Sequence, residues 1–319
     1  MSKKKTKEDL YQHTWLKNLH YDVWLEWTIN NACNLHCAYC WFNLGEDGYL
    51  AKESIPEGIS SFFYAKGSNK INLALLRKAL NRADKVFRIS LTGGEPFLLS
   101  NIIDVCFEIT KKHFFSTNSN LISDKIKDFS ERIDPKRVVF INASCHIKEL
   151  ERLNLLKIYI NNFYLCKKKG FNIGASEPAY PPILDEVSKY REFFKKIGIG
   201  FRFVKFCGKY NGKMYPDAYT KEELEIFGIE NDPDIKMFHS KGKLCNAGYN
   251  VCVVAPDGSA IPCARISENL GNIFDKINFK KELMKCPHEL CGCPLKCYDP
   301  YLFDKALVGC GTKPALEKS

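Results

Sequence analysis

The sequence predicts an α/β fold followed by a small cysteine-rich α+β region. Six segments rich in strand-forming residues alternate with helical patterns over residues 22–206. After Phe206 the composition shifts to Gly, Pro, Tyr, Asn and Lys, and cysteines become dense from residue 244 onward. Short βα connections with right-handed crossovers favour a parallel sheet. Six units are fewer than the eight of a complete (β/α)8 barrel, so a partial barrel and a doubly wound sheet both fit the pattern.

Each element has its own local signal. The strand segments carry β-branched and aromatic residues, at 22–29, 86–92, 114–117, 137–143, 171–176 and 200–206. The helical segments place apolar residues three and four positions apart, at 71–83, 100–112, 122–133, 148–169 and 185–197. Ser100 is a suitable helix cap, and Gly170 ends the long fourth helix.

Changes in composition divide the chain into five parts. We predict an N-terminal extension, a sheet-forming domain, a linker or lid, a cysteine-rich domain and a C-terminal tail, at residues 1–21, 22–207, 208–243, 244–311 and 312–319. The linker contains one short helical pattern near residues 220–227. Within the cysteine-rich domain, Asp257-Gly258 lies between two apolar runs and predicts a β-hairpin.

Composition excludes several classes of protein. The chain has 319 residues, 45% of them hydrophobic and 13% aromatic, which is enough for a large core and too apolar for a disordered chain. No apolar run approaches the ~18–20 residues of a membrane span. The polar start lacks a signal peptide, so we expect a cytoplasmic protein with no membrane contact. The net charge of +10 comes from scattered lysine pairs and favours a solvated surface over a nucleic-acid-binding face.

The fifteen cysteines are the most informative feature of the composition. Without an export signal they should stay reduced, so metal or cluster ligation is a better reading than a disulfide framework. Five isolated cysteines are expected to be small buried side chains: Cys106, Cys145, Cys166, Cys207 and Cys252. The others form two groups, one directly after the first strand and one near the C-terminus.

The first group, Cys33, Cys37 and Cys40, has the spacing CxxxCxxC. Three thiolates within eight residues can surround one metal centre, and soft sulfur ligands select zinc or an iron–sulfur cluster. Three cysteines leave one position of a cubane [4Fe–4S] cluster open. Zinc would need a fourth ligand, and His36 lies so close in the loop that its geometry would be tight.

These cysteines, together with other motifs, resemble the radical S-adenosylmethionine (radical SAM) superfamily. An aromatic residue, Tyr39, precedes the third cysteine, as in that family. Thr92-Gly93-Gly94-Glu95-Pro96 at the end of the second strand resembles the family's GGEP element. Weaker matches follow the third and fourth strands, at Thr117, Asn118 and Ser144, where turn chemistry is an alternative reading. The resemblance covers roughly residues 22–206.

The resemblance implies a fold and a cofactor chemistry. It favours a partial (β/α)6 barrel, similar to a TIM barrel, with a [4Fe–4S] cluster on Cys33, Cys37 and Cys40. It also implies S-adenosylmethionine bound to the open iron and cleaved reductively to a 5′-deoxyadenosyl radical. The GGEP residues would hold the methionine amino group, and Tyr39 would pack on adenine. Thr117, Asn118 and Ser144 would contact the same cofactor.

The second group resembles the SPASM and twitch auxiliary-cluster domains of that superfamily. The shared elements are Cys245, Gly258 and Cys263, with the later Leu270-Gly271-Asn272. The intervals after the gap differ from the full SPASM pattern. We expect one auxiliary [4Fe–4S] cluster on Cys245, Cys263 and two of Cys286, Cys291 and Cys293. Cys297 and Cys310 are weaker candidates, and a structural zinc site or two clusters remain alternatives.

The expected activity is hydrogen abstraction from a small organic substrate such as a sugar-like metabolite. Only 32 residues precede Cys33, which is short for a peptide-recognition domain of ~80 residues, so a peptide-modifying maturase is the alternative. A flavodoxin or ferredoxin would supply the electron. A hypothesis of another class is a zinc-bearing nucleic-acid-binding module. At the rim, Cys207 is a weak catalytic candidate, and His146, Glu149, Arg202 and Lys205 are possible contacts to substrate or cofactor.

Overall fold

The sheet-forming domain alternates strands and helices as predicted. The computed structural model describes residues 20–40, 62, 65, 67–232, 235 and 238–291. Its elements are β1 (Val23–Asn30), α1 (Leu73–Arg82), β2 (Phe87–Gly93), α2 (Ile102–Thr110), β3 (Phe114–Ser119), α3 (Lys125–Arg132), β4 (Val138–Ser144), α4 (Ile147–Arg152), α5 (Leu156–Lys168), β5 (Ile173–Pro178), α6 (Val187–Lys196) and β6 (Phe201–Val204). Short 3₁₀ turns lie at Pro96–Leu98, Pro135–Arg137 and Pro181–Glu186.

Two helix predictions differ from the structure. The long fourth helix is two helices, α4 and α5, because Asn154 between them has a left-handed φ of 57° that interrupts the helical path. Ser100 is not the cap of α2, which begins after Asn101; the Ser100 hydroxyl donates instead to the carbonyl of Asn69, at 2.9 Å.

The rest of the described chain forms short strands and one helix. These are β7 (Gly208–Tyr210), β8 (Lys213–Tyr215), α7 (Lys221–Phe227), β9 (Phe238–His239), β10 (Leu244–Cys245), β11 (Val251–Val254), β12 (Ser259–Ile261), β13 (Gly271–Asn272), β14 (Met284–Lys285) and β15 (Leu290–Cys291). Helix α7 confirms the short helix predicted in the linker. A reciprocal capping box between Thr220 and Glu223 starts it, and Gly228 in the left-handed region ends it.

The order of the strands decides between the two sheet architectures. β1 to β6 are parallel neighbours in chain order. A doubly wound sheet reverses its strand order at a switch point, and these six strands show no reversal. The domain is therefore an α/β unit with a parallel sheet, consistent with a partial barrel.

The same sheet continues into the cysteine-rich region through the other edge of β1. β11 pairs in parallel with β1, where Trp24 lies opposite Val251 and Trp27 opposite Val254. β12 and β13 follow in antiparallel order and complete a nine-stranded sheet. The predicted hairpin is confirmed: β11 and β12 join through Asp257-Gly258, and the Asp257 carboxylate accepts the Ser259 amide at 2.9 Å.

Alternation along the strands separates an apolar face from a polar inner face. Val23, Leu25 and Trp27 of β1 are fully buried in the core under the helices. The residues that alternate with these point to the opposite side of the sheet. On β1 to β5 most of them are polar: Trp24, Glu26, Thr28, Arg88, Ser90, Thr92, Ser116, Asn118, Asn142, Ser144 and Ser176. We call this side the inner face, and the cavity described below opens from it.

Two sequence expectations concern burial and membranes. Four of the five isolated cysteines, Cys106, Cys145, Cys166 and Cys252, are fully buried as predicted. Cys207 differs, because it is half-buried on a cavity wall. Among the described residues, no helix is long and apolar enough to span a membrane.

Candidate active site

The loop after β1 brings the three clustered cysteines to the carboxyl end of the sheet. Cys33, Cys37 and Cys40 are free thiols that line one cavity of about 370 Å³. Within the loop, the Cys40 amide donates to the Cys37 carbonyl at 3.0 Å, and the Leu35 amide to the Cys33 sulfur at 3.5 Å. The sequence prediction that these residues share one site is thus supported by their common cavity.

Two glycines at the end of β2 allow the backbone to pack against this loop. The Gly94 amide donates to the Asn30 carbonyl at 3.0 Å, and the Glu95 amide to the Ala32 carbonyl at 2.7 Å. A Cβ on Gly94 would lie 2.1 Å from the Ala32 oxygen, and one on Gly93 the same distance from the Asn30 oxygen. The absence of a side chain at both positions thus permits the close approach of the cysteine loop.

Glu95 is a buried hub that joins the ends of β2 and β3. Its carboxylate accepts hydrogen bonds from the Phe97 amide at 3.0 Å, the Ser119 hydroxyl at 2.9 Å and the Asn120 amide at 2.7 Å. Burial raises the pKa of Glu95 to about 7, and these hydrogen bonds oppose the shift. Glu95 also faces the cavity, so it can act on a ligand while holding the two strand ends together.

The remaining predicted cofactor contacts divide into two sets. Asn118 and Ser144 lie on the cavity wall. Thr117 and Pro96 are buried elsewhere and do not line the cavity. The reason for Thr117 is strand alternation, since its neighbour Asn118 occupies the inner face; Pro96 starts the 3₁₀ turn that carries the chain away from the sheet.

Tyr39 belongs to a buried polar cluster that the sequence only partly revealed. Its hydroxyl donates to the Glu177 carboxylate at 2.9 Å and lies 2.9 Å from Nδ1 of His146. The other oxygen of Glu177 accepts the Ile147 amide at 2.9 Å, at the start of α4. Burial raises the pKa of Glu177 to about 7 and lowers that of His146 to about 4. Sequence reasoning missed Glu177; its signal was a carboxylate at the end of a buried strand.

Two further contacts hold the cysteine loop in place. The His36 amide donates to the Glu149 carboxylate at 3.0 Å, and Arg152 pairs with that carboxylate at 2.9 Å. The Asn120 amide group donates to the Asn34 side chain at 2.8 Å. Glu149 was expected to be a possible substrate contact at the barrel mouth, but its hydrogen bonds make it an anchor of the loop. His146, by contrast, does line the cavity.

The donor set of the first group fits an iron–sulfur cluster, because three soft thiolate ligands line one cavity. Among the described residues, no three His, Cys, Asp or Glu side chains meet closely enough to hold one metal ion. A [4Fe–4S] cluster would take one such thiolate on each of three iron atoms. Burial raises the pKa of Cys33 and Cys37, so these thiols ionise readily only with a cation beside them.

The described cysteines of the second group lie in neighbouring segments. β10, which contains Cys245, pairs with β14, and the Cys286 amide donates to the Lys243 carbonyl at 2.9 Å. The turn after Cys263 is next to this pair, because Nε2 of His288 lies 2.8 Å from the carbonyl of Arg265. Cys291 ends β15, whereas Cys293, Cys297 and Cys310 lie outside the described residues.

Comparison with known proteins identifies the domain. Residues 27–176 match the radical SAM superfamily. The chain carries a radical SAM domain. The match runs from β1 through the cysteine loop and Gly93–Glu95 to β5, so it includes the three cysteines and the cavity-lining residues of β2 to β4. The protein is a radical SAM enzyme whose exact reaction is open, and this family implies a [4Fe–4S] cluster and S-adenosylmethionine.

Curated relatives of this chain include named enzymes. A GTP 3′,8-cyclase of Aquifex aeolicus is 22% identical over 308 residues, covering 81% of this chain and 87% of the relative. A GTP 3′,8-cyclase of Clostridium botulinum is 24% identical over 225 residues, covering 66% of this chain and 64% of the relative, which is less than two thirds of that enzyme. An uncharacterized protein of Methanocaldococcus jannaschii is 24% identical and covers 81% and 91%.

Solved structures share the fold at low sequence identity. One is anSMEcpe with bound AdoMet, with a TM-score of 0.51 at 18% identity, covering 80% of this chain and 78% of that one. Another is Streptococcus suis SuiB bound to its precursor peptide SuiA, with a TM-score of 0.51 at 13% identity, covering 83% and 66%. At these identities the likeness concerns the fold.

Proposed function

We propose that this chain binds a [4Fe–4S] cluster through Cys33, Cys37 and Cys40 and abstracts hydrogen from a small organic substrate. The observation that carries the proposal is the shared cavity: the three thiols, Gly93–Glu95 and Asn118 line the same space of about 370 Å³. When bound, the cluster supplies the electron that cleaves S-adenosylmethionine to methionine and a 5′-deoxyadenosyl radical. The protein's contribution is binding, orientation and exclusion of water.

The roles of the chain's own residues follow from their contacts. Glu149 and Asn120 fix the cysteine loop, and the Gly94 and Glu95 amides bind its backbone. Glu95 presents a carboxylate to a cofactor ammonium group while its own hydrogen bonds keep it in place. Ser144 and Asn118 offer hydroxyl and amide groups from the inner face. Phe206 gives the cavity an apolar wall on the β6 side.

The small-molecule substrate is favoured by the curated relatives. Those named GTP 3′,8-cyclase act on a nucleotide, which makes GTP the first compound to test with this chain. The peptide-bound structures share the fold at 13% to 20% identity and add no argument for a peptide substrate. The alternative of a peptide-modifying maturase is tested by the same assay with a short peptide in place of the nucleotide.

We further propose one auxiliary [4Fe–4S] cluster on Cys245, Cys263, Cys286 and either Cys291 or Cys293. The pairing of β10 with β14 and the contact of His288 with Arg265 support this set. Anaerobically reconstituted protein should contain about eight irons per chain, and Cys245→Ala should reduce this to about four. An iron content of about four in both proteins, with zinc in the second site, would replace the auxiliary cluster by structural zinc.

The decisive experiment for the main proposal is a cleavage assay without oxygen. The protein is loaded with iron and sulfide, reduced with dithionite in place of a flavodoxin or ferredoxin donor, and given S-adenosylmethionine with and without GTP. Chromatography should show 5′-deoxyadenosine and methionine. Cys40→Ala should abolish both products, whereas Cys106→Ala, which changes a buried cysteine of α2, should not.

Two results would count against the proposal. If Cys40→Ala still formed both products, Cys33, Cys37 and Cys40 would not be the ligands of the cluster. Iron-loaded protein that forms no 5′-deoxyadenosine with GTP, peptides or any added metabolite would contradict cleavage of S-adenosylmethionine. Uptake of zinc at both cysteine groups would instead favour the nucleic-acid-binding alternative, which a filter-binding assay with RNA and DNA would then examine.

The sequence also predicts a cytoplasmic compartment, and localisation of a tagged chain in the cell tests that prediction.

A further inference from the structure

Arg202 differs from the other arginines in the part of the chain that the structure describes. This part contains nine arginines, and eight of them have a defined interaction. Seven of these contacts are Arg77 with Glu108, Arg82 with Asp275, Arg88 with Ser116, Arg132 with Asp104, Arg137 with the Phe114 ring, Arg152 with Glu149 and Arg191 with the Ile226 carbonyl. Within the described residues, Arg202 makes neither a hydrogen bond nor an ion pair.

The position of Arg202 in the sheet places it on the inner face. On β5 and β6, Arg202 lies in register with Ser176, which in turn lies in register with Ser144 on β4. Register partners in a parallel sheet point to the same side, and Ser144 lines the cavity. The neighbouring Phe203 points the other way, where its ring packs 5.3 Å from that of Phe227. The exposed guanidinium therefore lies on the same face of the sheet as the cavity, beside its lining rather than in it, since the lining reaches this segment at Lys205 and Phe206.

Polar groups of β4 and β5 lie on the same face of the sheet as Arg202. Ser176 and Asn142 share a hydrogen bond of 2.7 Å on the inner face, and Lys205, three residues beyond Arg202, lines the cavity. The inner-face carboxylate of Glu26 lies on β1, five strands away, where it is influenced by Arg88. Arg202 therefore adds a positive charge to the β6 side of the inner face, five strands away from Glu26.

We propose that Arg202 binds an oxyanion group of the substrate, a phosphate or a carboxylate, at the β6 side of the cavity. The planar guanidinium can bind either group through two parallel hydrogen bonds. The inference rests on the proposed function, because it takes the cavity to be the place where substrate meets the cofactor. It narrows the substrate class to an anionic metabolite whose reacting carbon extends from this anchor toward the cysteine loop.

The test measures oxyanion binding to the cluster-loaded enzyme with S-adenosylmethionine present. Two probes separate the sources of the anion: tripolyphosphate represents phosphates, and citrate represents carboxylates. Isothermal titration should show one-to-one saturable binding of at least one probe. Arg202→Gln should weaken it about 10- to 100-fold, as expected for loss of a charge-assisted hydrogen bond. Arg202→Lys should weaken it less, because the charge remains.

A control variant separates a local site from general charge. Lys196→Gln removes one positive charge at the exposed end of α6 and should bind the probes as the parent does. Equal weakening by Lys196→Gln and Arg202→Gln, or binding that Arg202→Gln leaves unchanged, would overturn the inference. So would a selective loss of affinity for S-adenosylmethionine in Arg202→Gln, since Arg202 would then hold the cofactor.

The same preparations distinguish this inference from the proposed function. If parent protein releases 5′-deoxyadenosine and binds neither probe, the oxyanion site fails and the radical chemistry stands. If parent protein binds a probe through Arg202 and releases no 5′-deoxyadenosine under any condition, the proposed function fails and the oxyanion site stands.

Discussion

Replacing Gly94 by alanine tests whether the glycine pair exists to fit the cysteine loop. The new Cβ would lie 2.1 Å from the Ala32 carbonyl oxygen and 2.5 Å from its carbon, and backbone atoms cannot rotate away as a flexible side chain can. The Ala32 oxygen is also held by the Glu95 amide at 2.7 Å, so the loop must shift as a unit. We therefore expect a shift of about 1 Å and a cost of about 3 kcal/mol, at the upper end for an overpacked site.

The expected size of this effect can be stated for each assay. An unfolding entropy of roughly 2.1 cal/mol/K per residue gives about 0.7 kcal/mol/K for 319 residues, so about 3 kcal/mol lowers Tm by roughly 4 °C. The iron content of Gly94→Ala should also be lower than that of the parent protein, because the displaced loop carries all three cysteines of the first group. Anaerobic calorimetry and iron analysis measure the two quantities.

Gly200→Ala is the matched control for Gly94→Ala. A Cβ at Gly200 meets nothing within 4 Å, and no positive φ is involved. This control should leave Tm and iron content unchanged or raise Tm slightly, because alanine restricts the unfolded chain. If Gly94→Ala behaved like Gly200→Ala in both assays, the steric reasoning would be refuted.

Three further predictions concern the hairpin and two buried titratable groups. Gly258→Ala should destabilise the protein more than Gly242→Ala in urea unfolding; both positions have positive φ, but a Cβ on Gly258 would lie 2.6 Å from Asn272 and Phe274, whereas Gly242 has open space. Glu177 has its pKa raised to about 7, so its neutral form stabilises the fold below pH 4.5 and this contribution is lost as pH rises through 7; Glu177→Gln should flatten the fall in Tm between pH 4.5 and 7. His113→Phe should cost about 1–3 kcal/mol at pH 7, measured by urea unfolding, because the Phe87 amide loses its buried acceptor at 3.1 Å.

Each of these three has a contradicting outcome. Equal unfolding midpoints for Gly258→Ala and Gly242→Ala would contradict the predicted steric clash at Gly258. A Glu177→Gln protein with the parent's pH profile would mean that another group produces the profile. For His113, burial lowers the pKa to about 4, so its stabilisation is full above pH 6.5 and is lost as pH falls toward 4. A parent-like acid sensitivity in His113→Phe would contradict that assignment.

The repeating part of the fold was predictable because it depends on local patterns. Each βα unit carries its own periodicity, and the hairpin has a two-residue signal at Asp257-Gly258. The pairing of β1 with β11 was not predictable, because it depends on contact between segments that are distant in the sequence. The interruption at Asn154 was missed because the apolar spacing continues on both sides of it.

The candidate site was predictable where the residue types and spacing of a motif indicate the ligand. Cys33, Cys37, Cys40 and Glu95 follow from residue types and spacing, and all four line one cavity. Thr117 was predicted to contact the cofactor because it precedes Asn118 in the sequence. Side chains alternate along β3, so Asn118 lines the cavity and Thr117 does not. Glu177 was missed because its partners, Tyr39 and Ile147, come from other segments, and Glu149 changed role because its contact to His36 crosses 113 positions of sequence.

The double pairing of β1 has a consequence for how the chain folds during synthesis. β1 leaves the ribosome early, yet its second neighbour comes much later: the Trp27 indole bonds the Ala255 carbonyl at 3.0 Å across 228 positions. Until that segment emerges, β1 presents an unpaired edge beside buried-type side chains such as Leu25, a surface on which nascent chains aggregate. Pairing along the second edge of β1 is therefore postponed until translation has passed residue 255, and the full sheet is complete only after β13.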